Sequence, residues 1–173
     1  MKKIVIIGPE STGKSTLAKE LAKHYQTVWV EEYARQYLME NGMNYTYDDL
    51  LTIAKGQVAL EEEAARNVKN DLLFIDTDMY VMKVWCEFVF SKCHTWILNQ
   101  VVQQNYDLYL LCNTDLPWVK DELREYPDLE NRQLLYHMYK DIMINQSVPW
   151  IDISGNYAQR LKKGILGINE HLL

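Results

Sequence analysis

Residues 1–21 read MKKIVIIGPESTGKSTLAKEL, and this stretch decides the fold. The run from Lys3 to Ile7 is mostly apolar and β-branched and stops at a glycine, which predicts a buried strand. Gly8–Ser15 then matches G-x-x-x-x-G-K-[ST] at every fixed position, and Ser15–Tyr25 has helical spacing. Strand, loop and helix in this order are the context of a phosphate-binding loop, so we expect the chain to hold a nucleotide.

The loop itself indicates its chemistry. Gly8 and Gly13 allow the backbone to wrap phosphates, so that N–H groups and the positive end of the following helix face the negative charge. Lys14 is predicted to reach the β and γ phosphates of ATP, and the Ser15 hydroxyl to ligate Mg²⁺. Glu10 is unusual, because a carboxylate beside phosphates is repulsive unless it points outward or meets a substrate or cation, and a solvated position and a role both stay open. The predicted phosphate-binding residues are Gly8, Glu10, Ser11, Thr12, Gly13, Lys14, Ser15 and Thr16.

Four further apolar runs predict buried strands, and helical segments separate them. The strand candidates are Thr27–Val30, Leu72–Ile75, Leu108–Cys112 and Trp150–Ile153. Residues 46–49 have the spacing of a capping box, which opens a helix running to about Val68. Further helices are predicted at Tyr80–Phe90, Thr95–Gln104, Leu129–Asn145 and Tyr157–His171. Apolar strands that alternate with helices indicate one three-layer α/β domain, residues 1–173, with five parallel strands.

Length, charge and cysteine content narrow the class of protein. A chain of 173 residues, 48% of them hydrophobic, suits one domain with one site. The formal net charge is −6 and the basic residues are scattered, which argues against duplex nucleic acid as the main partner. Three cysteines and no apolar leader predict free thiols in a reducing cytoplasm. No apolar run approaches the roughly twenty residues needed to cross a bilayer, so no membrane association is expected.

Carboxylates follow the second and third predicted strands, where ligands of an open α/β sheet bind. Asp76 could hold Mg²⁺ through water, and Glu32 could accept the proton of an acceptor hydroxyl. Either could instead cap a helix or pair with Lys14, and the identity of the base stays open between the two. Glu31 and Asp78 are interpreted as structural or supporting residues.

The segment from about residue 114 to residue 132, here called the lid segment, is predicted to be a mobile lid. Phosphoryl transfer needs cationic groups over the migrating phosphate and exclusion of water, and Arg124 and Arg132 are the candidates. The alternative for both arginines is surface salt bridging with Glu125, Asp128 or Glu130.

These observations bear on four functional classes. A GTP switch is excluded because the chain has no Asn-Lys-x-Asp guanine reader, and the chain is too short for a ring ATPase domain with its helical appendage. A kinase of a nucleoside or small alcohol fits, with Tyr80 and Trp85 able to stack on a flat or cationic ring. A regulatory module, in which hydrolysis drives a conformational change, stays an alternative.

Five ordered motifs resemble the nicotinamide riboside kinase domain of NadR-type proteins. They are GPESTGKS at residues 8–15, EYAR at 32–35, FIDTD at 74–78, WVKDELR at 118–124 followed by Arg132, and the segment from Ile153 to Arg160. The resemblance spans essentially the whole chain and implies a P-loop kinase fold with strand order 2-3-1-4-5. It also implies transfer of the γ-phosphate of ATP, with Mg²⁺, to the 5′-hydroxyl of nicotinamide riboside, giving nicotinamide mononucleotide for NAD synthesis.

The resemblance also implies roles for individual residues. Catalysis is expected from Lys14, Glu32, Asp76, Arg124 and Arg132, and acceptor binding from Glu32, Tyr33, Arg35, Asp76, Asp78, Tyr80 and Trp85. Tyr157 and Arg160 are expected on the adenine side, and Ser15 and Asp76 at the metal. The adenylyltransferase domain of the full-length family proteins is not carried over, because the four histidines form no His-x-x-His pair. Pro9 and Trp85 stand where the family commonly has other residues, so the fine shape of the acceptor pocket is not implied.

Overall fold

Five parallel strands form a single sheet in the computed structural model, which describes residues 1–173. They are β1 (Lys2–Ile7), β2 (Trp29–Val30), β3 (Leu72–Asp76), β4 (Leu108–Cys112) and β5 (Trp150–Ile153). Their order across the sheet is β2-β3-β1-β4-β5, which confirms the predicted order. Strand β1 pairs with β3 on one side and β4 on the other, so the crevice at its carboxyl end is a switch point of the topology, where ligands bind.

Seven helices connect and cover these strands. They are α1 (Lys14–His24), α2 (Tyr33–Asn41), α3 (Tyr47–Asn67), α4 (Met79–Phe90), α5 (Thr95–Gln103), α6 (Leu129–Asn145) and α7 (Tyr157–Leu172). The predicted capping box is confirmed, because the Thr46 hydroxyl accepts the Asp49 N–H and the Asp49 carboxylate accepts the Thr46 N–H. Helix α2 is absent from the sequence prediction. It begins without a side-chain cap and buries only Ala34 and Leu38, which leaves a weak apolar stripe and no start signal.

Strand β2 is shorter than the predicted run 27–30. Only Trp29 and Val30 pair with β3, opposite Phe74 and Ile75. Thr27 is joined to β3 by its side chain instead, since its hydroxyl donates to a main-chain carbonyl of that strand at 2.6 Å. The register brings the residue after Val30 level with the end of β3, so the chain leaving β2 begins beside the site.

Helices cover both faces of the sheet, which accounts for its apolar strands. On one face, Leu21 of α1 and Ile168 of α7 pack in the same cluster as Ile6 of β1. On the other face, Tyr139 of α6 packs in the same cluster as Ile7 of β1. A third cluster joins α2, α3, α4 and α5 beyond the sheet. Because neighbouring residues of β1 enter opposite clusters, both must be apolar.

None of the helices combines the length and the apolar character that crossing a bilayer requires. All three cysteines are free. Cys86 and Cys112 are buried, and burial raises the pKa of both thiols to about 12, so neither is a reactive thiolate at neutral pH.

Candidate active site

The phosphate loop lies at the carboxyl end of β1. Gly8 has a φ of 143°, and a Cβ at this position would lie 2.7 Å from the carbonyl oxygen of Cys112, so only glycine fits. The Thr12 hydroxyl and the Lys14 ammonium both donate to the Pro9 carbonyl, at 2.7 and 2.9 Å. These bonds hold the loop in a closed curve that leads into α1, whose first N–H groups can face an anion.

Ser15 and Asp76 form the candidate metal position. Parallel pairing sets Ile6 beside Asp76 at the end of β3, and the Ser15 hydroxyl donates to the Asp76 carboxylate at 2.5 Å. Burial raises the pKa of Asp76 to about 7; the charge of Glu32 acts in the same direction and that of Lys14 opposes it. A hydroxyl and a carboxylate are hard oxygen donors, which suit Mg²⁺. No group of three or more His, Cys, Asp or Glu residues could hold a metal ion, so Mg²⁺ here would also need water and phosphate oxygens.

Asp78 lies two residues after Asp76 but faces the core. Its carboxylate accepts the N–H groups of Tyr80 and Val81 at 3.0 and 3.3 Å and so caps α4. It also accepts the Tyr109 hydroxyl at 2.8 Å, and burial raises its pKa to about 7. Tyr80 packs with its ring centroid 5.9 Å from that of Tyr109. These two predicted acceptor-side residues therefore lie behind the cleft, at the start of α4.

The acceptor side of the cleft is built on the turn from Glu31 to Tyr33. Gln57, on the buried face of α3, accepts the Tyr33 N–H at 2.8 Å through its side-chain oxygen. Its side-chain nitrogen donates to the carbonyls of Glu31 and Asp76, at 3.3 and 3.4 Å. The turn is thereby tied to both α3 and β3, and Glu32 lies on the cleft wall. Gln57 is not among the predicted site residues.

One cleft of about 1420 Å³ contains the phosphate loop and this turn. A typical ligand pocket measures about 300–1,000 Å³, so the cleft has room for a nucleotide and a second small molecule. The indole N–H of Trp85 donates to the Tyr45 hydroxyl at 3.0 Å, which fixes the indole on the wall. The aromatic residues lining the cleft are Trp29, Tyr33, Trp85, Phe88, Tyr126, Tyr139 and Tyr157.

The two arginines of the lid segment lie at different depths. Arg124 lines the cleft, and its guanidinium donates to the Val119 carbonyl. Arg132 is buried and donates to the carbonyls of Ser11 and Leu116, both at 3.2 Å. Neither arginine forms a salt bridge with an acidic neighbour, the alternative considered from the sequence. Arg124 can therefore face a bound phosphate, whereas Arg132 joins the phosphate loop to the lid segment.

Arg35 and Tyr157 lie at the rim of the cleft. The Arg35 guanidinium pairs with Asp121 at 3.0 Å and so links α2 to the lid segment. Its side chain is 56% exposed, so this pair contributes little to stability. Tyr157 begins α7 beside Gly13, where an added Cβ would lie 3.2 Å from the tyrosine ring. Tyr157 thus flanks the loop at its junction with α1.

Arg160, one turn further along α7, lies beneath the phosphate loop. Only 1% of the residue is exposed. Its guanidinium donates to the carbonyls of Thr12, Gly155 and Asn113, at 2.9, 2.7 and 3.0 Å, and to the Asp115 carboxylate. Arg160 therefore holds the loop to the segments after β4 and β5 and does not line the cleft.

Glu10 points from the phosphate loop to the lid segment. Its carboxylate accepts the main-chain N–H groups of Glu125 and Tyr126. Burial raises its pKa, although the donated N–H groups and the charge of Lys14 oppose this effect. Glu10 is therefore half-buried and bonded to the lid segment, and a role toward phosphate or substrate stays a prediction.

The fold and the loop together define a P-loop nucleotide-binding domain. A family model described as an AAA domain matches residues 3–160. The chain belongs to this family, whose description specifies neither a substrate nor a reaction.

Particular relatives narrow this class. The chain is 26% identical over 157 residues to the trifunctional NAD biosynthesis/regulator protein NadR of Salmonella typhimurium, and the match covers 88% of this chain and 38% of NadR. The chain thus spans less than half the length of this relative.

Solved structures share the fold. A NadR protein in complex with NR superposes with a TM-score of 0.81 at 20% identity, over 98% of this chain and 50% of that one. A NadR protein in complex with NAD and AMP-PNP superposes with a TM-score of 0.76 at 20% identity, over 98% of this chain and 49% of that one. Deoxyadenosine kinase from M. mycoides superposes with a TM-score of 0.66 at 13% identity, over 97% of this chain and 99% of that one.

Proposed function

We propose that this domain is a kinase that transfers the γ-phosphate of ATP to the 5′-hydroxyl of nicotinamide riboside, giving nicotinamide mononucleotide for NAD synthesis. The observation that carries the proposal is the single cleft, in which Lys14 and Ser15 share a space with aromatic rings and the Glu32 carboxylate. The likeness to NadR, one structure of which contains NR, supports this acceptor. Nicotinamide riboside carries a permanent pyridinium charge, which such a wall on a protein of net charge −6 would favour.

ATP with Mg²⁺ is the proposed donor. The NadR structure with AMP-PNP supports a donor of this kind. Loop N–H groups and Lys14 would bind the phosphates, and Ser15 and ionised Asp76 would hold Mg²⁺. When bound, Mg²⁺ neutralises charge on the β and γ phosphates. Arg124 would add positive charge over the transferred group from the lid segment.

Glu32 is the proposed base and Asp76 the proposed metal-side carboxylate. A base must come within hydrogen-bond reach of the hydroxyl whose proton it accepts. Glu32 lines the cleft, whereas Asp76 is fully buried against Ser15. Because phosphoryl transfer relies mainly on positioning and electrostatics, loss of Glu32 should reduce the rate less than loss of Lys14.

A cytoplasmic location belongs to the proposal. Its support is the free state of all three cysteines, because disulfides are rare where glutathione and thioredoxin keep thiols reduced.

The test is a panel of nucleosides with MgATP, with products identified by mass. We expect nicotinamide riboside to gain one phosphoryl group and to react faster than uridine, thymidine, deoxyadenosine or thiamine. Lys14→Ala should abolish transfer and keep the fold, whereas Lys23→Ala, an exposed lysine at the far end of α1, is the matched control. Faster reaction of another compound would assign a different acceptor. ATP turnover that no nucleoside alters would favour a regulatory module.

A further inference from the structure

Glu10 is the only acidic residue in the phosphate loop, and its carboxylate is occupied by the lid segment. The Glu125 N–H donates to both carboxylate oxygens at 3.0 Å, and the Tyr126 N–H donates to one of them. Hydrogen bonds to an ionised acceptor are roughly twice as strong as neutral ones. They also use the lone pairs that would otherwise face a bound phosphate, so an acidic residue is tolerated in this loop.

Glu125 is held from a second direction by its side chain. The Tyr45 hydroxyl donates to the Glu125 carboxylate at 2.9 and 3.1 Å. The same hydroxyl accepts the indole N–H of Trp85 at 3.0 Å, and the two rings meet edge to face with centroids 5.0 Å apart. A continuous chain of hydrogen bonds therefore runs from Trp85 on the cleft wall, through Tyr45 and Glu125, to Glu10 on the phosphate loop.

Arg124 directly precedes this junction. Its guanidinium donates to the Val119 carbonyl, and the Val119 N–H in turn donates to the Ser11 hydroxyl at 2.9 Å. The arginine is therefore fixed between two contacts of the lid segment with the phosphate loop, one at Ser11 and one at Glu10. Each contact is one tie between the phosphate loop and the main chain around Arg124.

We infer that Glu10 and Tyr45 are positioning residues, which grip Glu125 by its main chain and its side chain respectively and so hold Arg124 over the phosphate loop. The grip itself depends only on the contacts described; its effect on rate rests on the proposed kinase function. Both residues act through the lid segment, because Lys14 and Arg124 are the residues proposed to contact the reacting phosphate. A displacement of about 1 Å in a catalytic group can reduce a rate by about 10²-fold, which sets the scale of the expected loss.

Hydrogen exchange of the Glu125 and Tyr126 amides in the full chain, without nucleotide or acceptor, tests the grip directly. Glu10→Ala should speed exchange at both amides at least tenfold, whereas Glu10→Gln, which keeps one acceptor oxygen, should give an intermediate rate. Tyr45→Phe, which removes only a hydroxyl, should also loosen Glu125. Glu122→Ala, an exposed carboxylate elsewhere in the lid segment, is the matched control and should change nothing. Unchanged exchange in both Glu10→Ala and Tyr45→Phe would overturn the grip.

Steady-state kinetics then test positioning. Glu10→Ala should lower kcat at least tenfold with a smaller change in the KM for ATP, and Glu10→Gln should recover part of kcat. Faster amide exchange with an unchanged kcat would reduce Glu10 to a structural contact and overturn the positioning role. If the wild-type chain phosphorylates no nucleoside, the kinase proposal fails and the rate prediction with it, whereas the exchange result still decides the grip.

Discussion

Replacing Gln57 by leucine should weaken both the fold and the reaction. The Gln57 side chain is buried and makes three main-chain contacts, with Tyr33, Glu31 and Asp76. Leucine has a similar size but can neither donate nor accept. The turn that carries Glu32 would lose its link to α3 and β3, while the phosphate loop would be untouched.

The magnitude follows from the geometry of the three bonds. The bond to the Tyr33 N–H, at 2.8 Å, is well formed, whereas those to the Glu31 and Asp76 carbonyls, at 3.3 and 3.4 Å, are long. A net hydrogen bond contributes about 1 kcal/mol, and a buried polar group left without a partner costs about 1–3 kcal/mol. Burial of the leucine methyl groups offsets part of the loss. We expect a loss of about 2–3 kcal/mol in the free energy of unfolding, and a fall in kcat of about tenfold or more because Glu32 shifts.

Urea denaturation measures the loss in the free energy of unfolding, and initial rates at saturating ATP measure the fall in kcat. Glu62→Leu places the same side chain on the exposed face of α3 and is the matched control, with an expected change of less than about 0.5 kcal/mol. A Gln57→Leu variant as stable as this control would refute the estimate. A destabilised variant with a normal kcat would show that Gln57 supports the fold without positioning Glu32.

Three further predictions address the remaining carboxylates and the buried arginine. Glu32→Gln should lower kcat without raising the Mg²⁺ concentration needed for half-maximal rate, because loss of the Glu32 charge favours ionised Asp76. Asp76→Asn should raise that concentration, and Mg²⁺ titrations of both variants check this. Arg160→Ala leaves three carbonyls without their donor and removes the partner of the partly exposed Asp115 carboxylate, so urea denaturation should show a loss of about 3 kcal/mol. Burial raises the pKa of Asp78 from 3.8 to about 7. Between these two pH values the folded state keeps a proton that the unfolded state has lost, so the free energy of unfolding should fall as the pH rises through this range. Denaturation at pH 5 and pH 8 should show a smaller difference in Asp78→Asn than in the wild type.

The parts of the fold predicted from the sequence are those with local signals. The phosphate loop, the capping box at Thr46 and the apolar strands each depend on residues a few positions apart, and the structure contains all of them. Helix α2 lacks such a signal, since it has neither a side-chain cap nor a full apolar stripe. Gln57 does have a local signal, because it continues the buried stripe of α3 formed by Leu50, Ile53 and Ala54. A polar residue in such a stripe needs buried hydrogen-bond partners.

The contact of Glu10 could not be predicted in this way. Its partners lie 115 and 116 residues further along the chain, and they offer main-chain N–H groups, which every residue except proline has. The residue type therefore indicated repulsion between the Glu10 carboxylate and the phosphates, but it could not identify the groups that bind this carboxylate. The same holds for Arg160, whose three carbonyl partners come from separate loops.

The motif FIDTD explains why Asp76 and Asp78 have different environments. In an extended strand, residues two apart share a face, so the spacing of these carboxylates suggests that both face one site. Thr77 prevents this, because its φ is 81°, in the left-handed region that a β-branched residue rarely adopts. Its N–H still donates to the Ile6 carbonyl at 3.1 Å, so Thr77 stays bonded to β1. A backbone conformation of this kind costs about 1–3 kcal/mol, which the packing of the surrounding core offsets. Asp76 therefore meets Ser15 while Asp78 caps α4, and only one of the pair reaches the phosphate loop. A second carboxylate at this point would further oppose the ionisation of Asp76, which the charge of Glu32 already opposes.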